Sequence, residues 1–396
     1  MKQSIRIADY RHRATAGRLL LGCYFPRSVK TEGVGTLVRS FAEEMQARHW
    51  DVEVLVPQTI AMDANIRQHA YRPGPAGLWR YARAIAQHSA DADAVMLIEN
   101  NPNLGWLTNA SKTRGRTLIY FNTPLQHLGL LQETGATRQG LVHLAAKHHW
   151  FSQQQDWSSR HCVVASEFQA RQLRSVGATQ VRVLPGGGVS RRTPHPTRSE
   201  ARRAFGWDNR PVVGYLGHHS PAKGVHTLIE AMSACATQPI LAMAYSGKGR
   251  LPETAHDGLA FLNTRGRFRP YGLVDPREFL AACDVVVLPF ATSSIQHPPL
   301  VLIESYAAAT AVITTCVGGI PEMVIPGRTG QLVSPRNASQ LAETIDQCIA
   351  NPNQLHEMGQ RARNHFEQYL AQEVVGEQLD SLLLEHCLPL NTRAAA

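Results

Sequence analysis

Short apolar runs alternate with amphipathic stretches along most of the chain. In the first half the apolar runs predict six strands, at 18–25, 51–57, 94–99, 116–121, 161–165 and 180–185. Segments 35–49 and 166–177 between them show the apolar spacing of three to four residues that is typical of helices. Because strands that alternate with helices form parallel sheets covered on both faces, the pattern predicts an α/β fold.

The second half repeats this alternation. It predicts five strands, at 211–217, 239–245, 258–262, 284–289 and 311–315, and four helices, at 223–235, 275–282, 299–309 and 337–349. Residues 186–211 are rich in glycine, proline and arginine, which indicates a linker followed by a short helix. We therefore expect two Rossmann-like, doubly wound domains, at 1–190 and 191–370, and a C-terminal helix and tail at 371–396. Ligands of such sheets bind beyond the carboxyl ends of the strands, so the site is expected in the cleft between the domains.

The length and charge of the chain agree with two domains and suggest an anionic partner. The 396 residues are too many for one compact core. The net charge is +9, and residues 1–190 carry 22 basic and 13 acidic side chains, so the whole excess lies in the first half. A basic half favours a membrane surface, a phosphorylated acceptor or nucleic acid as partner, and an ordinary basic surface is the alternative.

The cysteines and the apolar runs indicate the cellular compartment in which we expect the protein. The seven cysteines are scattered without a C-x-x-C pair, which indicates a reducing, cytoplasmic environment. Arg18 interrupts the apolar segment before "LLLGC" at 19–23, so this run is interpreted as a buried strand rather than a lipoprotein signal. No apolar run is long enough to cross a membrane, and we expect a soluble or peripheral protein. No histidine, cysteine and aspartate cluster has the spacing of metal ligands, so no metal is predicted.

Glycines follow the first predicted strand of each domain. Gly33 and Gly35 precede the first helix, where glycine lets backbone N–H groups approach an anion at the helix N-terminus. A tight strand–helix turn needs the same residues, so both interpretations stay open. In the second domain the strand ends at Gly217, and Lys223 and Gly224 lead into the next helix, where the lysine could reach a phosphate.

The helix predicted from residue 299 offers a further candidate. Its first N–H groups, on Leu300 and Val301, form another potential anion site. Glu304 lies about one turn later, where a carboxylate can accept hydrogen bonds from vicinal hydroxyls such as those of ribose. Glu304 could also simply stabilise the helix dipole, and the two roles are compatible.

Taken together, these motifs resemble a known family. Strand–"GHHSPAKG"–helix, then "ACDVVVLPF…Q-x7-E…GGIPE", then "GRTGQLVSP" is similar to the retaining glycosyltransferases of family 4, which have the GT-B fold. The resemblance covers nearly the whole chain and is more specific in the second domain. It implies a C-terminal helix that crosses back to the first domain, a UDP- or GDP-sugar as co-substrate, and no metal or other cofactor.

The resemblance also implies roles for the candidate residues. Contacts with the donor diphosphate are implied for Gly33, Lys223, Leu300 and Val301, and donor binding more generally for Gly35 and Gly217. Contacts with the ribose are implied for Glu304, and contacts with the base for Tyr271 and Gly272. The residues expected to act in catalysis are Lys223, Gln296, Asn122 and His218.

Three of these positions depart from the family. Asn122 stands where many members have a histidine near the sugar, His218 where an arginine assists Lys223, and Gln296 where a glutamate contacts the donor sugar. Amides still bind hydroxyls, and a protonated imidazole still binds phosphate. We therefore interpret the changes as an altered donor sugar or a slower enzyme, and inactivity is the competing hypothesis.

The resemblance implies a metal-independent, retaining glycosyltransferase acting on a glycan or lipid-linked acceptor by same-face attack. The alternative is a non-catalytic nucleotide-sugar-binding homologue that serves as a partner or regulatory subunit. Basic and aromatic residues at 67–85 and 141–151 suit an anionic membrane surface at the inner face of the membrane, or a helix packed with its arginines outward. Nucleic acid is an unlikely partner, because no base-reading motif accompanies the charge.

Overall fold

The computed structural model describes residues 16–23, 33–72, 77–99, 117–121, 157–245, 251, 253–293 and 298–386. These residues form two compact units. The first contains the described residues up to Ser190 together with those from Ala371 onward, and the second contains those within Arg191–Leu370.

The described residues of the first unit form seven strands. They are β1 (Gly17–Cys23), β2 (Trp50–Val56), β3 (Arg67–Ala70), β4 (Ala94–Glu99), β5 (Thr117–Phe121), β6 (His161–Val164) and β7 (Gln180–Val183). Its helices are α1 (Gly33–Ala47), α2 (Gly77–His88), α3 (Glu167–Ser175) and, from the end of the chain, α12 (Gln372–His386). All described strand pairs are parallel, in the order β3-β2-β1-β4-β5-β6-β7. The chain changes direction of winding between β1 and β4, which is where a doubly wound sheet binds ligands.

Helix α12 is part of the first core although it comes last in the sequence. Val375, Leu379 and Leu383 are fully buried in one cluster with Phe41 of α1. Trp50 Nε1 donates a hydrogen bond of 2.7 Å to Asp380 Oδ1. The final helix thus packs on the first Rossmann-like unit, as the resemblance implied.

In the second unit the described part of the chain forms six strands. They are β8 (Val212–Leu216), β9 (Ile240–Ala244), β10 (Phe268–Tyr271), β11 (Val285–Leu288), β12 (Ala311–Thr315) and β13 (Gly330–Val333). Its helices are α4 (Arg198–Ala204), α5 (Val225–Ala234), α6 (Glu253–Thr264), α7 (Pro276–Ala282), α8 (Leu300–Ala307), α9 (Ile320–Met323), α10 (Ala338–Ala350) and α11 (Pro352–His365). The strands are parallel in the order β10-β9-β8-β11-β12-β13, so the change of winding lies between β8 and β11. The predicted α/β fold with two Rossmann-like domains is confirmed.

One predicted strand is wrong. Residues 258–262 belong to helix α6. The buried residues Ala255 and Leu262 are seven apart, and Gly258 lies against Ile229, which is the spacing of a helix face. The apolar run 258–262 resembles a strand when taken alone, but the flanking residues of Glu253–Thr264 carry the helical period.

Three strands were not predicted, β3, β10 and β13. Each has four residues and lies at the edge of its sheet, with a single neighbouring strand. Edge strands are short and partly exposed, so they lack the continuous apolar run of a central strand. Strand β10 even contains Pro270, which an edge strand tolerates because fewer ladder bonds are required there.

Among the described residues, no helix combines the length and hydropathy needed to cross a membrane.

We expect Leu379→Ala to lower the free energy of unfolding by about 2–5 kcal/mol, because it opens a cavity in the first core. Denaturant unfolding measures this change, and Gln378→Ala, exposed on the same helix, is the matched control. Equal small effects of both variants would mean that α12 is not part of that core.

Candidate functional site

Two loops meet at the carboxyl ends of β8 and β11. The backbone N–H of Ala291 donates to the carbonyl oxygen of Ala222 at 2.9 Å. Gly224 has φ +65°, and a Cβ at this residue would overlap the carbonyl oxygen of Pro289. Only glycine permits both the left-handed conformation and this approach, so Gly224 brings the two loops together.

Lys223 lies at this junction, at the end of a single 3₁₀ turn over Pro221–Lys223. Its Nζ is 4.9 Å from the centre of the Phe290 ring, and Phe290 is buried. Burial lowers the pKa of Lys223 to about 8. The ammonium is thus held in a poorly solvated position in which an anion would stabilise its charge.

Helix α8 presents its N-terminus and Glu304 in the same unit. Leu300 and Val301 are its first two residues, after Pro299 at the N-cap, and Leu302 donates the first bond back to Pro299 at 3.0 Å. Burial, with a smaller contribution from Asp275, raises the pKa of Glu304 to about 7. The carboxyl group lies where its ionised form lacks solvation, which favours a site that receives hydroxyl donors.

The two histidines after Gly217 lie in different environments. His218 is exposed, and its carbonyl oxygen accepts a bond of 2.9 Å from Tyr215 Oη. His219 is 7% exposed and stacks on Tyr245 with ring centres 4.4 Å apart. Burial lowers the pKa of His219, and His256 lowers it further. Exposed His218 is the better placed of the two to contact an incoming ligand.

The ends of β8, β9 and β10 are linked in one row. Gly217 N–H donates to Ala244 at 3.1 Å, and Tyr245 N–H donates to the carbonyl of Tyr271 at 3.3 Å. The side chain of Tyr271 is directed elsewhere, since its Oη accepts from Trp207 Nε1 at 2.6 Å. Gly272 has open space around it, with no atom within 4 Å of an added Cβ. Any contact of this segment with a base would therefore use Gly272 and the backbone rather than the Tyr271 ring.

The remaining predicted residues fall in the first unit or outside the described chain. Gly33 and Gly35 form the first turn of α1, so they lie within the helix and not in a loop before it. Asn122 and Gln296 lie outside the described residues. The structure thus brings Gly217, His218, Lys223, Leu300, Val301 and Glu304 to the carboxyl ends of the second sheet or to the helices that follow them.

Comparisons with known proteins support the fold of the chain. Residues 197–365 match the family described as Glycosyl transferases group 1. The structure superposes on sucrose-phosphate synthase from Thermosynechococcus elongatus with TM-score 0.77 and 21% identity, over 93% of this chain and 98% of that one. It is also similar to Anabaena HepE in complex with UDP-glucose, with TM-score 0.71 and 18% identity, over 93% and 100% of the two chains.

The chain has the GT-B fold, and we call residues 197–365, which match that family, the group 1 domain.

Two relatives illustrate the sequence similarity. The D-inositol 3-phosphate glycosyltransferase of Gordonia bronchialis is 26% identical over 317 residues, 64% of this chain and 68% of that protein. The lipopolysaccharide core biosynthesis glycosyltransferase LpsE of Rhizobium meliloti is 31% identical over 176 residues, 44% of this chain and 49% of that protein. For most of the relatives the match spans about half of their length.

Several residues that shape the group 1 domain's site were missed in the sequence. Thr314 Oγ1 donates to Leu288 at 2.8 Å and Thr315 Oγ1 to Phe290 at 2.6 Å, which fixes the loop after β11 to β12. Phe290 supplies the ring beside Lys223. In the sequence, Phe290 is marked only by its place in "LPF", directly after a predicted buried strand. A residue that acts by packing follows no motif, so its role could not be predicted from the sequence.

We expect Gly224→Ala to destabilise the group 1 domain by about 2–5 kcal/mol, from the left-handed backbone and from overpacking against Pro289. Thermal or denaturant unfolding measures it. Gly272→Ala is the control, because its added methyl group meets open space. A Gly224→Ala protein as stable as the control would show that the two loops do not need this contact.

Proposed function

We propose that the protein is a retaining, metal-independent glycosyltransferase that transfers a sugar from a UDP- or GDP-sugar to a glycan or lipid-linked acceptor. The observation that carries the proposal is the position of Lys223 beside buried Phe290, where the loops after β8 and β11 meet, in a domain that also holds Glu304. Burial displaces the pKa values of both residues toward the uncharged form. Support for the donor class comes from HepE, whose structure holds UDP-glucose.

The proposed mechanism assigns charge stabilisation to Lys223. As the glycosidic bond to the diphosphate breaks, negative charge grows on the leaving phosphate. A desolvated ammonium stabilises that charge more strongly than one in water, and the N-termini of α5 and α8 add backbone donors. No side chain is required as nucleophile, because the leaving oxygen can accept the proton of the attacking hydroxyl on the same face. The protein's contribution is positioning and electrostatics.

Glu304 is assigned to the ribose. A carboxylate that accepts two hydrogen bonds from vicinal hydroxyls recovers the solvation that burial removes. Bound donor would thus stabilise the ionised form and lower the raised pKa of Glu304. His218, exposed beside Gly217, is proposed to assist Lys223 when it is protonated.

The test is binding and turnover with a panel of UDP-, GDP- and ADP-sugars, using hydrolysis or transfer as the readout. We expect Lys223→Ala and Glu304→Ala each to weaken donor binding by about 10- to 100-fold, the value of a charge-assisted hydrogen bond. Arg203→Ala, exposed on α4, removes an equal charge from the same unit and is the control.

Tight binding of one donor without turnover of any would replace the proposal with the non-catalytic homologue. Unchanged donor affinity in both variants would show that the site is assigned to the wrong residues.

The pH dependence gives a second signature of the same site. Lys223 loses its charge as the pH rises through about 8, so donor affinity should fall above that value. Glu304 is protonated as the pH falls through about 7, so affinity should also fall below it. Isothermal titration across this range should show a maximum between the two values, and Lys223→Ala should abolish the alkaline decline. An alkaline decline that survives in this variant would exclude Lys223 as its source.

We further propose that the protein works in the cytoplasm and that α2 contacts an anionic membrane surface. Of the residues at 67–85, Tyr71 and Tyr81 are buried. Their burial agrees with the alternative in which the helix packs on the protein with its arginines outward. On the outer face Trp79 is 72% exposed, and Arg80 and Arg83 are exposed beside it. An aromatic side chain flanked by cations suits the headgroup region of a membrane. The segment at 141–151 lies outside the described residues.

We expect the protein to sediment with phosphatidylglycerol vesicles and not with phosphatidylcholine vesicles. Trp79→Ser combined with Arg80→Gln and Arg83→Gln should abolish that binding. The control is Arg171→Gln with Arg265→Gln, which removes the same charge from exposed positions elsewhere. Equal loss in both combinations would indicate non-specific charge attraction and contradict a docking role for α2.

A further inference from the structure

Three potential metal ligands converge in the first unit. Glu53 lies in the middle of β2, His69 lies on the edge strand β3, and His88 is the last residue of α2. His69 Nε2 is 2.8 Å and His88 Nδ1 is 3.9 Å from the same carboxylate oxygen, Glu53 Oε2. We propose that these three side chains bind a transition-metal ion of the zinc class.

The spacing of the three ligand atoms suits such an ion. They all lie within 4.8 Å of one another. In a tetrahedral zinc site with bonds of about 2.0–2.2 Å, ligand atoms are separated by roughly 3.3–3.6 Å. The two distances to Glu53 Oε2 lie on either side of that range. Because the lone pair of a ligating nitrogen lies in the ring plane, the stacked rings of His69 and His88 would have to turn apart for both to bind one ion. Two imidazoles and one carboxylate are also a ligand set that leaves the fourth position open.

The carboxylate is held in place on its other side. Arg18 and Arg67 both lie 3.0 Å from Glu53 Oε1, and this leaves Oε2 directed toward the two histidines. Glu53 itself is only 8% exposed, and hydrogen bonds from neighbouring groups are what orient a ligating carboxylate in metalloproteins. The site therefore has a fixed carboxylate and two partly exposed imidazoles through which an ion can enter.

The two arginines also select the type of ion. Their charges are balanced by Glu53 and by Asp51, which is 2.8 Å from Arg67, so the cluster offers little net negative charge. Mg²⁺ and Ca²⁺ depend on carboxylate charge and are disfavoured here. Zn²⁺, Co²⁺ and Ni²⁺ bind imidazole nitrogen well, and they match this donor set.

A bound ion would act as a structural clip. Strand β3 has four residues and, among the described strands, pairs with β2 alone, while α2 follows it in the chain. An ion shared by Glu53, His69 and His88 would tie the edge strand and the end of α2 to the central part of the sheet. Binding of this kind stabilises the folded state by mass action. The inference is independent of the proposed function.

The competing interpretation is a metal-free polar cluster. In it His69 hydrogen-bonds Glu53, and the two imidazoles stack with ring centres 3.9 Å apart and an interplanar angle of 29°. Both interpretations give the buried Glu53 carboxylate polar partners. Only the metal-binding interpretation predicts that zinc binds in a stoichiometric amount.

The experiment uses the full chain, stripped with a chelator that is then removed by dialysis. We expect isothermal titration with Zn²⁺ to reveal a site that is lost in His69→Ala and in His88→Ala, and Mg²⁺ to give no binding there. His356→Ala, exposed on α11, is the control and should keep that site. Zinc should raise the thermal midpoint of the wild type and of the control by several degrees, and should leave both ligand variants unchanged.

Cobalt gives a readout that does not depend on the stability of the variants. The wild type loaded with Co²⁺ should show the visible absorption of a tetrahedral site, and this band should be missing in a folded His88→Ala protein, checked by circular dichroism. Absence of the band in the wild type, or zinc binding that both ligand variants retain in full, would overturn the proposal.

Discussion

The approach of Gly224 to the carbonyl of Pro289 is the contact on which the candidate site depends. It joins the loop after β8 to the loop after β11, at the point where the second sheet changes its direction of winding. The hydrogen bond from Ala291 to Ala222 locks the same junction. Lys223 is adjacent to Gly224 in sequence, so the residue that permits the contact also determines where the ammonium lies.

Lys223 at this junction and Glu304 on α8 show how the second unit is prepared for a ligand. Burial displaces both pKa values toward the uncharged form, to about 8 for the lysine and about 7 for the glutamate. Each pKa shift arises because burial removes water from the charged group, and in the free protein no other group takes the place of that water. A diphosphate beside the lysine and hydroxyls beside the glutamate would replace it. Desolvation of Lys223 and Glu304 is unfavourable in the free protein, and the proposed donor would bind more tightly because its polar groups relieve it.

The sequence predicted the central strands and the residues at the second switch point because both have strong local signals. Buried parallel strands such as β8 and β11 are continuous apolar runs. Lys223 and Glu304 belong to sequence motifs that follow these two strands. The edge strands β3, β10 and β13 were missed because half-exposed strands carry weak patterns. Phe290 was missed because it acts by packing beside Lys223. The cluster of Glu53, His69 and His88 was missed for another reason. These residues are far apart in the sequence, and only the parallel pairing of β2 with β3 and the return of α2 bring them together.

The central claim is that the junction of the β8 and β11 loops binds the diphosphate of a nucleotide sugar. Hydrogen–deuterium exchange of the full chain, with and without saturating UDP or GDP, tests it most directly. We expect slower exchange in peptides that cover 217–224 and 300–304 with the nucleotide that binds, and loss of this protection in Lys223→Ala. Protection confined to other segments, or none at a concentration at which calorimetry shows binding, would contradict it.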